Sequence, residues 1–296
     1  MRYSFKFILI SALVFTWNSS WADRDVVCTG TTTSPVVDGV GDDSIWHQAQ
    51  PISTRDAVAE IDHEILCVHT DEQIFILVRF PDANENREHK PLMWNSDEQR
   101  YVIGSLREDT IVLKWNMEPL FTDISLSADE VYRADIWYWK SVRTDHAGFA
   151  DDKSHTYSDL PLQNGRRLVS KSGRRFYLLR KGDEGRSAYK SLSPAVFESE
   201  HMNSYEFRVP AGSRADVRAK GHWSNGWWTV EFARNLATGN PDDVQFAAKQ
   251  RYQFGISRYE IAGRAPEPEI QVPLFGSGEV GENLVLILND EHIAQQ

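Results

Sequence analysis

Apolar and polar residues alternate along much of the chain, in runs rich in β-branched and aromatic side chains: EILCVHT, QIFILVRF, QRYVIGSL, DTIVLKWNM, DIWYWKSV, RFYLLRK, WWTVEFARNL, RYQFGISRYEI and ENLVLILND. A period of two sends successive side chains to opposite faces of an extended backbone, so each run reads as a strand with one buried face. Asp-Gly, Asn-Gly, Ser-Gly and Pro-Asp pairs between the runs supply turn chemistry. Helix signals are few, the clearest being Asp42-Asp43-Ser44, which caps a short turn through Ala49. The pattern predicts an all-β chain, an antiparallel β-sandwich with few short helices. Residues 154–215 break the rhythm with Gly, Ser, Arg and Lys and read as a long polar excursion between sandwich strands, with little apolar material for a core of their own.

The chain opens with basic Arg2 and Lys6, an apolar run from Phe7 to Phe15, and Ser-Ser-Trp-Ala at 19–22 before Asp23. This is the layout of a secretory signal peptide, and the run is too short to span a bilayer. Residues 1–22 are therefore set aside, and residues 23–296 are expected to form a single β-sandwich domain in the periplasm, with no transmembrane span. In that oxidising compartment Cys28 and Cys67 are expected to pair, joining the N-terminal segment to the sheet. There is no CxxC and no CxxCH, so any haem would be held without thioether bonds. Without Arg2 and Lys6 the balance is 30 basic to 43 acidic residues, which disfavours nucleic acid as a partner. A basic stretch over 163–190 reads as a solvated loop or as a docking face for an acidic partner.

Five of the ten tryptophans fall in two segments, 135–153 and 221–236. Bulky aromatics alternate there with polar residues, and the two strands are expected to line the functional site. Near the start of the expected domain, PVVDGVGDDSIWHQAQPI (35–52) resembles the opening of family 9 carbohydrate-binding modules, where an Asp-Gly turn and a short capped helix bring a tryptophan onto the sandwich. On that pattern Trp46 is a core plug under the first turn. Asp38, Asp42 and Asp43 serve turns and caps, or hold calcium together with backbone carbonyls.

The strand REDTIVLKWNM (107–117), the WYWK element, GFADDK, the run ADVRAKGHWSNGWWTVEFARNLATG (215–239) and the closing YQFGISRYEIAGR are similar to the haem-binding domain family of ethylbenzene dehydrogenase-related proteins. That family includes γ subunits of periplasmic molybdenum enzymes related to dimethyl sulfoxide reductase. The resemblance implies a sandwich gripping one b-type haem between its sheets, with a methionine and a lysine on the iron. It also implies electron transfer with a periplasmic redox protein or molybdoenzyme subunits. The sequence departs from the family at both ligands: EPLFTDISLSADEVYRA before Trp137 has no methionine, and AGRAPEPEIQ after Ile261 has no lysine. Met117 and Lys140 are the substitutes on offer, a thioether just before the loop and an amine that coordinates only when neutral. Their structural alternatives are a core methionine and a charged strand end. Trp137, Trp139 and Trp223 would wall the slot, and Arg143, Arg234 or Arg258 would meet the propionates through the guanidinium fork.

Imidazole is the commoner haem ligand, so His222, His146, His155 and His89 are weighed as well. His222 alternates with Trp223 and faces solvent if Trp223 is buried. His146 and His155 flank a loop with Asp145, Asp151 and Asp152, ligand types of a metal site without zinc-type spacing. The main alternative is a carbohydrate or other small-ligand module without haem, using Trp137, Trp139, Trp227 or Trp228 as a stacking platform. Exposed indoles favour the module; buried ones favour the slot. No GxSxG elbow, HExxH helix or isolated pair of catalytic carboxylates marks a hydrolase, so the expectation is an accessory protein rather than an enzyme acting alone.

Overall fold

The structure, a computed structural model, describes residues 24–56, 61–258 and 282–289. The chain runs through β1 (Arg24–Gly30), β2 (Ile52–Asp56), β3 (Ile61–His69), β4 (Gln73–Pro81), β5 (Leu92–Asn95), β6 (Arg100–Ile103), β7 (Thr110–Asn116), β8 (Tyr132–Lys140), β9 (Asp151–Ser158), β10 (Arg166–Val169) and β11 (Arg175–Gly182). Three short strands follow, β12 (Tyr189–Ser191), β13 (His201–Met202) and β14 (Tyr205–Phe207), and then β15 (Arg218–Ser224), β16 (Trp227–Asn235), β17 (Arg251–Arg258) and β18 (Leu284–Asn289). Each apolar run read from the sequence falls on one of these strands. Residues 1–22, expected to be a signal peptide, and the AGRAPEPEIQ segment lie outside the described residues. Among the described residues no helix is long and apolar enough to cross a membrane.

Among the described residues thirteen strands share one sheet, in the order β10-β11-β9-β8-β7-β17-β18-β1-β3-β4-β16-β15 with β2 also on β3. It folds into a sandwich at β1. This strand pairs with β18 from Arg24 to Thr29, but meets β3 only at Thr29 with Val68 and Gly30 with His69. Both pairings are parallel, which departs from the purely antiparallel expectation because the last described strand lies beside the first. The expected disulfide crosses this seam, joining Cys28 to Cys67.

The polar excursion is shorter than its composition implies. β9, β10 and β11 extend the first layer, and only the segment after β11 leaves it for the small sheets β12-β14 and β13-β5-β6. The added strands bury alternate residues: Tyr157 stacks between Tyr132 at 4.9 Å and Phe176 at 4.8 Å, within a core on the outer face of the first layer. The largest core lies between the layers. A third, around Trp46 and Phe75, covers the outer face of the second layer. The expected capped turn is a 3-10 turn over Ser44–Gln48, but the Asp43 side chain does not cap it. Its Oδ2 accepts the Val36 N–H at 2.9 Å instead.

Candidate functional site

β8 carries Trp137 and Trp139 toward the second layer and Tyr138 and Lys140 to the opposite face, as a period of two requires. The two tryptophan segments meet across the sandwich: Trp139 packs edge-on against Trp228 of β16 at 4.9 Å, and Trp137 lies 6.4 Å from Phe232 and 5.1 Å from Trp115. They meet as packing. Trp115, Trp137, Trp139 and Trp228 are all fully buried and fill the layer that a slot would occupy. Gly221 of β15 lets Trp139 approach, since a Cβ there would sit 2.3 Å from the ring. Asp145 ties these two together, accepting the Trp139 Nε1–H at 2.9 Å and the Gly221 N–H at 2.7 Å. It also faces Lys220 and Arg87, so its oxygens serve the fold.

Met117 follows β7, partly buried against the inter-sheet core. It lines a cleft of about 310 Å³ together with Asn116, Leu120, Asp243, Val244 and Tyr252. Lys140 is on the other side of the sheet. Its Nζ ion-pairs with Asp151, lies 3.0 Å from the Tyr189 hydroxyl, and sits 4.4 Å over the Tyr138 ring. Burial pushes this amine down to about 8. With the sheet between them, Met117 and Lys140 do not clasp one iron, and a haem held by both does not fit.

The three arginines sit in separate places, each against its own carboxylate. Arg143 pairs with Glu108, whose Oε2 also accepts the N–H groups of Val142 at 2.8 Å and Arg143 at 2.9 Å. Arg258 pairs with Asp82, and Arg234 with Asp135 at 2.6 Å. They form no common cradle for propionates. Trp223 is partly buried and donates Nε1–H to the Asp82 carbonyl at 2.9 Å, while His222 is exposed.

His146 is exposed beside Phe207, and His89 lies 3.3 Å from Glu108, its imidazole pushed by burial down to about 2. His155 is fully buried, with no hydrogen-bond partner on either ring nitrogen, and burial holds it neutral. Trp46 is buried under the first turn and donates to Glu231 Oε1 at 2.9 Å, while Asp38 Oδ1 accepts the Val40 N–H at 2.8 Å.

One constellation of carboxylates lies apart from these residues. Asp135 and Asp152 are diagonal neighbours on the inner face of the β8–β9 ladder, where Asp152 lies opposite Trp137 and Asp135 opposite Ser154. Asp243 arrives from the β16–β17 connection, and one carboxylate oxygen of each lies within 4.8 Å of the others. Asp183, just past β11, donates its N–H to the Asp152 carbonyl at 3.3 Å. Burial, reinforced by the neighbouring carboxylates, pushes Asp183 up to about 8, Asp243 up to about 7 and Asp152 well above the carboxylate range. Asp183 and Asp243 carry no sequence signal of their own: one sits in the basic stretch and the other in a Pro-Asp-Asp turn, and the fold alone brings them to β8.

No curated protein matches the sequence. Among solved structures the chain is similar to a family 9 carbohydrate-binding module from Caldicellulosiruptor kristjanssonii in complex with glucose, at 12% identity and a TM-score of 0.40 over 92% of this chain and 100% of that one. The module from the same organism in complex with cellotriose gives 12% identity and a TM-score of 0.39, over 92% of this chain and 98% of the other. The sequence profile described as ethylbenzene dehydrogenase matches residues 20–263, most of the chain, and the protein belongs to that family.

Proposed function

We propose that the protein is an exported accessory protein of this family that binds one small ligand at the Met117 cleft and has no chemical step of its own. The observation that carries this reading is the position of Met117, a polarizable thioether on the inter-sheet side of the first layer at a cleft of about 310 Å³. That volume is at the lower end of the range for small-molecule pockets. Haem b is the first ligand to test, because the family resemblance implies it. The cleft is smaller than a porphyrin and lined by Glu118 and Arg251 as well as Met117, so a haem there would be bound at its mouth and not between the layers. At this cleft it would take one protein ligand, Met117, with a periplasmic redox protein or molybdoenzyme subunit as its partner.

The test is an absorption spectrum of protein exported into a haem-replete periplasm, oxidised and then reduced with dithionite. A Soret band with α and β bands that sharpen on reduction is expected, altered in Met117→Ala and unchanged in Lys140→Met. A featureless spectrum, with no shift on haem titration, overturns haem. The carbohydrate alternative would then rest on Trp227, which is 44% exposed at the start of β16, since Trp137, Trp139 and Trp228 are buried and cannot stack on a sugar. Quenching of indole fluorescence by cellotriose, lost in Trp227→Ala, would support it.

A further inference from the structure

The aspartate constellation is built as a ligand site rather than as a set of ion pairs. Seven of the eight carboxylate oxygens of Asp135, Asp152, Asp183 and Asp243 are buried and accept no hydrogen bond; the eighth, Asp135 Oδ2, accepts from Arg234 and from the Val244 N–H. Buried carboxylates without donors are costly, because water has been removed and nothing replaces it. The counter-charge from Arg234 is spent mainly on Asp135, with Asp243 at 3.9 Å. Asp152 is 0% exposed with both oxygens unpartnered. Asp183 comes from a different strand end, is 4% exposed, and is also unpartnered at both oxygens. The carboxylates that act on it are Asp242, Asp135 and Asp243, and its side chain meets that of Asp152, which places it at the margin of the constellation.

The spacing fits a hard cation. Oxygens on opposite sides of a calcium ion lie up to about 5 Å apart, given Ca–O distances of about 2.3–2.6 Å. The three mutually close oxygens of Asp135, Asp152 and Asp243 fall within 4.8 Å of one another. All the donors are oxygen, the ligand set of Ca²⁺, Mg²⁺ or Mn²⁺ and not of a thiolate or imidazole metal. When ionised, several carboxylates against one guanidinium carry a net negative charge that a divalent ion would largely cancel, displacing the protons that otherwise hold them neutral. Asp243 also lines the Met117 cleft, so the constellation lies beside it.

We infer that Asp135, Asp152 and Asp243 form a divalent-cation site, Ca²⁺ being the best match, that pins β8, β9 and the β16–β17 connection together, with Asp183 at its margin. It shares Asp243 with the lining of the Met117 cleft, but it does not rest on what the cleft binds, because neither Met117 nor an aromatic platform is among its ligands. The rival occupant is protons shared among the carboxylates.

The experiment uses the full chain freed of metal with EDTA, at pH 7.5, titrated with CaCl₂ and separately with MgCl₂ and MnCl₂ while the thermal midpoint is followed. A divalent ion at roughly 100 times its dissociation constant is expected to raise the midpoint by about 5–10 °C. The rise should be absent in Asp152→Asn and Asp243→Asn. Tb³⁺ provides a readout that needs no variant: Trp137, opposite Asp152, should sensitise its emission, and Ca²⁺ should quench it by displacement. No midpoint shift with any of the three ions and no sensitised Tb³⁺ emission would overturn the site and assign the constellation to protons. A shift equally large in Asp152→Asn would overturn it as well.

Discussion

Gly221 sits where two layers touch, and the contact leaves no room for a methyl group: a Cβ would lie 2.3 Å from Trp139. Gly221→Ala should therefore destabilise by about 1–3 kcal/mol, read as a lower urea midpoint with an unchanged slope. Glu231 makes a different kind of contact. It accepts the Gly39 N–H at 2.7 Å, the Asp38 N–H at 3.1 Å and the Trp46 indole at 2.9 Å, yet burial pushes its carboxyl up to about 7. A carboxyl raised on folding holds its proton more tightly in the native state. Its stability contribution is therefore full below the unfolded value and lost as pH rises through about 7. Glu231→Gln should flatten the fall of the thermal midpoint between about pH 5 and pH 8 relative to the parent protein. A parallel profile would mean that the carboxyl is ionised throughout that range. Individual residues were legible where their role is local: Trp46 as a plug, His222 as the solvent-facing neighbour of Trp223. Arg143, Arg234 and Arg258 were not, since Glu108, Asp135 and Asp82 reach them only through the fold.

Strands with apolar alternation announce themselves, and β3, β4, β7, β8 and β16 could be read directly. β9 could not. Its sequence, DDKSHTYS, has the look of a solvated loop, yet Asp151, Asp152 and His155 are buried because β8 and β11 flank it, and for Asp151 distant side chains supply the counter-charge. Arg214 reaches Asp151 from 63 positions away. The same limit applies to β8: the period of two separates Lys140 from Trp137, but nothing local reveals that the face carrying Lys140 is covered too. Phe176 tests this element-scale difference. As a member of the outer core, its replacement by Ala should cost about 3–5 kcal/mol in a denaturant titration; in a solvated excursion the change would be near neutral.

At the scale of the molecule, the sheet is one ladder folded at β1, with β18 hydrogen-bonded between β17 and β1. The disulfide closes a loop over a sequence separation of 39 at that fold. Removing it by Cys28→Ser with Cys67→Ser should lower stability by about 4 kcal/mol in the chain-entropy account, measured against the oxidised parent. The family was legible from strings scattered over several strands, and the overall sandwich from their periodicity, whereas the parallel seam depends on where the two ends of the described chain meet. That seam sets an order of arrival. During synthesis β1 emerges long before β18, the strand that completes its flank, and has to wait for all the strands between them. Both cysteines belong to the first 67 residues, and their bond can form long before β18 exists. The disulfide thus acts as a bookmark, holding the first strand at the edge of β3 until its late neighbour arrives.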